Sequence, residues 1–402
     1  MFIYVLTHPV FLNSKSMPKF AAVVSDCLAQ GGWEYRLITA RPLFWKLLPT
    51  GHPLKKWFGY LDQFVAFPVE LLVLRLRHWL RGEAIGFVLC DQALGPWYRF
   101  IGRLPTVIHA HDLLAYKSAM GQYKENPTGK TGVAYQKFIA WGFRLAPRFL
   151  AVSERTARDL RELFGISDQR ICVIHNFVDP TLQPMQPEVI QRSLAGVLPP
   201  TLKSWIVHVG GGQWYKNTVG LLKIYQAYAA MQAATGADVL PLVYVGPAFR
   251  IEAQAIIDAL PPGAQVLRLS GITNEVLNAL YSGAQCLLFP SLAEGFGWPI
   301  IEAQACGTLA VTTDDAPMNE IAGPASLLLP NALGAASIDN WAQACATVLH
   351  EACHQAPERR EELIQTAAYW VKKFAQDAIR AQYIEEYRIA FGSGGPAAGR
   401  LH

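Results

Sequence analysis

The chain alternates short apolar runs with longer segments of helical spacing. In the first half the runs are FIYVLT (2–7), EYRLITA (34–40), IGFVLCD (85–91), TVIHAH (106–111), RFLAVS (148–153) and ICVIHN (171–176). Helical segments fill the gaps. SKSMPKFAAVVSDCLAQG closes at Gly31, and SERTARDLRELFG opens on Ser153 as N-cap and stops at Gly165. The rhythm breaks over 177–203, which carries five prolines and little strand pattern. It restarts with SWIVHVGGG (204–212), VLPLVYVG (239–246), AQVLRLSG (264–271), AQCLLFP (284–290), TLAVTT (308–313) and ASLLLP (325–330). Apolar strands alternating with helices predict parallel sheets covered on both faces. Two such blocks predict two doubly wound, Rossmann-like domains facing each other across a cleft. The expected division is an N-terminal domain over 1–185, a linker over 186–203 and a second domain over 204–355. A helix over 356–391 and a glycine-rich tail over 392–402 follow.

Length and composition agree with this division. A chain of 402 residues exceeds what one core comfortably serves. It is 51% hydrophobic and 16% charged, as a folded protein with large buried areas should be. A formal charge of +4 is too weak for a general nucleic-acid binder. The seven cysteines are scattered without a CxxC, which reads as buried free thiols in a reducing compartment. MFIYVLTHPV reads as a first buried strand, not a signal peptide. The most apolar stretch, FVAFPVELLVLRLRHWL, is broken by Pro68, Glu70, Arg75 and Arg77, so no spanning helix is predicted.

Ligands of doubly wound sheets bind beyond the carboxyl ends of the strands, and four stretches fall there. In SLAEGFGWPIIEAQACG, LLFP ends a strand, and a helix is expected from about 298, with Pro299 in its first turn and Gly307 as its stop. The amides at Gly295, Phe296 and Gly297 then sit at a helix N-terminus, which favours an anion. Glu294 and Glu302 would lie about 12 Å apart along a continuous helix. That is too far for a glycosidase pair, at roughly 5–10 Å, but suits two ends of one ligand with a diphosphate between. In HVGGGQWYKN, Gly211 and Gly212 let backbone approach phosphate and Lys216 neutralises it, with Asn217 beside it. This is neither a P-loop nor a GxGxxG fingerprint. In VIHAHD, His109 and His111 share a strand face. No third ligand follows at a metal-site spacing, so no metal is expected, and His109 reads as a core histidine. His111 and Asp112 stand at a strand end. Finally, Gly246 and the Gly271, Ile272, Thr273 loop close two more strands. Each stretch alone is also compatible with an ordinary strand-to-helix turn.

Together they resemble one family. YSGAQCLLFPSLAEGFGWPIIEAQACGTLAVTTDDAPMNEIAG (281–323) is similar to the E-x7-E signature of family-4 glycosyltransferases. VIHAHD, FLAVSERTARDL, VIHNFVD and HVGGGQWYKN follow the family's order. The resemblance implies the GT-B fold and a retaining transfer from a nucleotide-diphosphate sugar, with no metal or other cofactor. It implies that Glu302 holds the ribose and Glu294 the sugar hydroxyls. The amides of Phe296 and Gly297 and the charge of Lys216 would take the diphosphate. The loop at Gly271–Thr273 would face the base, and His111 the reacting sugar. The catalytic set is then His111, Glu294 and Lys216. Donor contacts are Gly211, Gly212, Lys216, Asn217, Gly246, Gly271, Ile272, Thr273, Glu294, Gly295, Phe296, Gly297 and Glu302. Asp112 and Ser14 are weaker acceptor-side candidates. The chain departs from the family in having no arginine over 206–215, Asn217 after the lysine, and HPVFLNSKS where a Gly-Gly loop is usual.

The expected acceptor is a glycan or lipid-linked glycan, in cell-surface polysaccharide or lipopolysaccharide synthesis. Residues 41–82 carry seven Lys/Arg against two Asp/Glu, interleaved with tryptophans. Such a segment lies on an anionic membrane surface or packs on the sheet with snorkelling cations. The protein is thus expected in the cytoplasm, peripheral on the inner face of the plasma membrane. Alternatives are a silent nucleotide-sugar binder or a GT-B epimerase or phosphorylase.

Overall fold

Every predicted strand forms, each shorter than the apolar run that signalled it. In the first sheet these are β1 (Phe2–Leu6), β2 (Glu34–Ile38), β3 (Ile85–Leu89), β4 (Thr106–Ala110), β5 (Arg148–Ala151) and β6 (Ile171–Val173). In the second they are β7 (Ile206–Val209), β8 (Leu242–Val245), β9 (Val266–Leu269), β10 (Cys286–Phe289), β11 (Leu309–Thr313) and β12 (Leu327–Leu329). The first six-stranded sheet has the order β2-β1-β3-β4-β5-β6 and the second β12-β11-β10-β7-β8-β9. All pairings are parallel. β3, β4 and β11 are buried at every residue, which is why they read as unbroken apolar runs. β2 is an edge strand and carries exposed Glu34, Arg36 and Leu37.

This computed structural model describes residues 1–12 and 16–392. The chain divides into two units, Met1–His175 with the segment from Asp377 onward, and Asn176–Gln376. Ser14 and the tail beyond Gly392 lie outside the described residues.

Two expected boundaries move. The segment 186–203 is not a free linker. Pro187–Ser193 is a helix with proline in its first turn, and Ser193 Oγ donates to Glu275 at 2.9 Å. The chain already joins the second unit at Asn176: Asn278 Nδ2 donates to the Thr181 carbonyl and Val178 N to that of Phe374. All five prolines of 177–203 are exposed, and the segment is anchored instead by the buried Val178, Leu182, Leu194 and Leu198. Likewise 356–391 is two helices, Pro357–Val371 and Gln376–Phe391, parted by a turn at Lys372–Phe374. The first stays with the second unit, where Trp370 Nε1 donates to the Ile321 carbonyl at 2.8 Å. Only the second belongs to the first unit. There Tyr387 meets His109, and Glu386 accepts from Arg148 Nε at 2.7 Å.

The helix Glu154–Phe164 shows how local sequence sets an element. Ser153 Oγ accepts from Thr156 N, and Gly165 ends the helix at φ 63°. The seven cysteines are free thiols, all buried except the half-buried Cys172.

Candidate functional site

In an open parallel sheet the crevice opens where strand order reverses. In the second sheet that place is between β7 and β10. The loops after these two strands are joined there. Leu292 N donates to the Tyr215 carbonyl at 2.7 Å, and Asn217 Nδ2 to the Pro290 carbonyl at 3.0 Å. Lys216 Nζ stands 2.7 Å from Glu294 Oε1, with the side chains 13% and 8% exposed. Lys216 also lies over the Phe289 ring at 4.7 Å. Chemically, a lysine of this kind can take phosphate oxygens and a carboxylate can take hydroxyls.

Asn217 explains its place beside Lys216. It takes φ 53°, a left-handed conformation that asparagine tolerates, and its Oδ1 caps the next helix by accepting from Gly220 N at 3.2 Å. The glycine usual in the family would supply the turn without the cap.

Downstream, Gly297 at φ 104° starts the helix Trp298–Ala305, with Pro299 in its first turn and no side-chain cap. Phe296 is buried against Trp298 and Phe374 and fixes the loop. Glu302, on this helix, accepts a 2.9 Å hydrogen bond from the Tyr281 hydroxyl. Burial and then the Glu302 charge push the Tyr281 phenol well above its ordinary value, so it stays a donor. Behind the loops His208 is fully buried, and its Nδ1 donates to the Leu288 carbonyl at 2.8 Å. Burial pulls its pKa down to about 4. A neutral ring therefore underlies the site.

Other residues expected to contact a donor have structural roles of their own. Gly246 is required by packing, because a Cβ there would meet the Gly210 carbonyl oxygen at 2.6 Å. Gly271 needs its φ of 67° for the turn, and Thr273 Oγ1 is engaged as N-cap to Val276 N at 3.3 Å. Gly212 approaches Pro247, which brings the loops after β7 and β8 together.

In the first sheet the order reverses between β1 and β3, and sequence reading passed over the pair found there. His8 Nε2 lies 2.9 Å from Asp91 Oδ2, while Asp91 Oδ1 accepts from Ala93 N at 2.8 Å. Burial alone would raise the Asp91 carboxyl. The His8 hydrogen bond, the His8 and His111 charges and the Ala93 amide outweigh it and hold it below its ordinary value. His111 is one strand away. Its Nε2 meets the Cys90 carbonyl at 2.8 Å, so that nitrogen carries the proton. Asp112 caps its own turn through Leu114 N at 3.0 Å. His109 is buried and bonded to the Tyr387 hydroxyl at 2.9 Å, and burial lowers its pKa well below the ordinary value. It is a core histidine, as its position inside an apolar run implied. The strand ends at His8 and Asp91 were visible in sequence, but strand order was needed to set them side by side.

Comparison with known proteins gives the family and the fold. The model of Glycosyltransferase Family 4 matches residues 19–182, and that of the glycosyl transferases group 1 matches residues 196–370. The chain belongs to the family-4 glycosyltransferases. It is 30% identical over 193 residues to an MMP α-(1→4)-mannosyltransferase of Mycolicibacterium hassiacum, covering 48% of this chain and 42% of that one. It is 28% identical over 199 residues to the O-antigen chain mannosyltransferase B of Escherichia coli, covering 48% and 50%. These matches thus span about half the length of the two relatives. Anabaena HepE, in complex with UDP and glucose, superposes with a TM-score of 0.63 at 16% identity, over 96% of this chain and 98% of that one. This likeness confirms the GT-B fold.

Proposed function

We propose that this protein is a retaining glycosyltransferase acting on a nucleotide-diphosphate sugar, with a glycan or lipid-linked glycan as acceptor. The observation that carries the reading is the Lys216–Glu294 pair at the reversal of the second sheet. Glu302, held by Tyr281, lies further along the same segment. Glu302 is assigned to the ribose and Glu294 to hydroxyls of the donor sugar. Lys216 and the start of the helix Trp298–Ala305 are assigned to the diphosphate. As the leaving diphosphate gains charge, a fixed cation and a helix N-terminus lower the barrier without reorganising. His111 is assigned to the reacting sugar. His8 and Asp91 are assigned to an acceptor hydroxyl, since a carboxylate-held imidazole orients and polarises an O–H.

A relative named as an O-antigen mannosyltransferase supports a cell-surface glycan as product, and a structural neighbour named with UDP and glucose supports a nucleotide-sugar donor. The protein is further proposed to work on the cytoplasmic face of the plasma membrane, docked through residues 41–82. The test is nucleotide diphosphate release from a panel of UDP-, GDP-, ADP- and dTDP-sugars, with and without membrane lipid extract. Release from one donor, raised by lipid and lost in Glu302→Ala, supports the assignment. Tight donor binding without turnover under any acceptor condition replaces it with a silent binder.

A further inference from the structure

The segment 41–82 presents an arrangement that helix packing does not account for. Lys55–Arg81 is a continuous helical run of 27 residues, long and apolar enough by length and composition to cross a membrane, yet only 33% of its most apolar window is buried. The buried side is committed to the first unit. Phe67 meets Trp97 at 4.4 Å, and Arg75 Nη1 donates to the Phe100 carbonyl at 2.7 Å. The opposite side is also apolar. Leu61, Val65, Val69, Leu72, Leu76 and Leu80 recur at three- or four-residue spacing, each at least 40% exposed. A helix in water turns its polar face outward, and a stripe of this length marks a surface meant to be covered.

Beside the stripe is a groove of about 780 Å³ between the edge strand β2 and the helix Phe67–Arg81. Arg36, Arg41, Arg77 and Arg81 line it, against one carboxylate, Glu70, which pairs with Arg41 at 2.9 Å. The other acidic residue of the segment, Asp62, is buried and spent on the amides of Leu43, Phe44 and Trp45. Arg36, Arg77 and Arg81 form no ion pair among the described residues. A helix C-terminus attracts one cation, which accounts for Arg81 but not for Arg36 on the strand or Arg77 a turn earlier. Val69 and Val73 of the helix form the groove's apolar wall.

We propose that this groove holds the phosphate headgroup of an anionic membrane lipid while the stripe sits among the acyl chains. Guanidinium forks match phosphate geometry, and the apolar wall leads from the headgroup position to the stripe. The inference rests on the membrane docking proposed above and gives it a chemical selectivity. It is independent of donor chemistry.

Flotation of the full chain with phosphatidylcholine vesicles, alone or containing phosphatidylglycerol, tests it at matched ionic strength. Two variants separate the parts, Arg36→Gln with Arg77→Gln for the groove and Leu76→Ser with Leu80→Ser for the stripe. Wild type should prefer anionic vesicles. Each arginine removed should weaken that binding roughly fivefold, and both together roughly 25-fold. The groove variant should then lose most, though not all, of its preference for anionic vesicles, and the stripe variant should bind neither. A groove variant that keeps the wild-type preference overturns the lipid site while leaving docking intact. Wild type that ignores both vesicle types overturns docking and the site together, and the donor-release assay stays separate. Displacement from anionic vesicles by excess inorganic phosphate at the same ionic strength would make this a soluble-anion site and overturn the lipid assignment.

Discussion

At the scale of single residues the site is built from pairs, so single substitutions have two costs. Lys216→Met removes the cation and strands Glu294, which is 8% exposed, without its partner. Leaving a buried charge unpaired costs about 3–5 kcal/mol. Lys216→Met with Glu294→Gln should therefore recover much of the stability lost by the single variant, read as urea midpoints. Neither should recover turnover, which should fall by roughly 10²–10³. Stability rescue together with activity rescue would reduce the pair to a structural contact. Tyr281→Phe removes only the hydroxyl that holds Glu302. A charged hydrogen bond is worth about 1.5–3 kcal/mol, so donor KM should rise roughly tenfold or more with the overall fold unchanged. His208 gives a pH signature. Its folded pKa is lowered from 6.5 to about 4, so the unfolded chain takes up a proton first as pH falls. Stability should be intact above about pH 6.5 and decline towards pH 4, by about 3 kcal/mol in all. The urea midpoint of His208→Gln should be flatter over that window.

At the scale of elements the turns carry more of the site than the strands do. Gly297 at φ 104° is the hinge from strand loop to helix, and its Cβ would also meet Ile300 Cδ1 at 3.1 Å. Gly297→Ala should destabilise the second unit by about 1–2 kcal/mol and reduce donor affinity more than global stability, since the helix start would be re-aimed. Calorimetry with and without nucleotide diphosphate separates the two effects. The helices and strands were legible because their periodicity is strong: Ser153 and Gly165 bracket their helix as capping chemistry requires. The proline-rich stretch before β7 misled because its few buried anchors, Leu182, Leu194 and Leu198, follow neither the strand nor the helix period. The helix expected over 356–391 was overrun at Ala375, where an extended backbone at the end of a tight turn splits it.

At the scale of the molecule the last helix is sequence-distant support for the first unit. Ile379, Tyr383, Tyr387 and Phe391 are buried in it. At about 1.5–3 kcal/mol for each large side chain, removing them forfeits roughly 6–12 kcal/mol, comparable to the whole stability of a typical domain. Truncation after Gln376 should abolish the thermal transition of the first unit and leave that of the second. The sequence by itself determined the two sheets, the strand and helix segments and the family signature that carries the candidate site. Those depend on periodicity, capping and a motif contiguous in the chain, from Tyr281 to Glu302. Only the tertiary structure decided that His8 meets Asp91 across 83 residues, and that Lys216 meets Glu294 across 78. It also decided that the helix over 67–81 buries Phe67 and Leu71 and leaves a second apolar stripe outward. Strand order and the choice of which helical face is buried are set by long-range packing, and local sequence carries no signal for either.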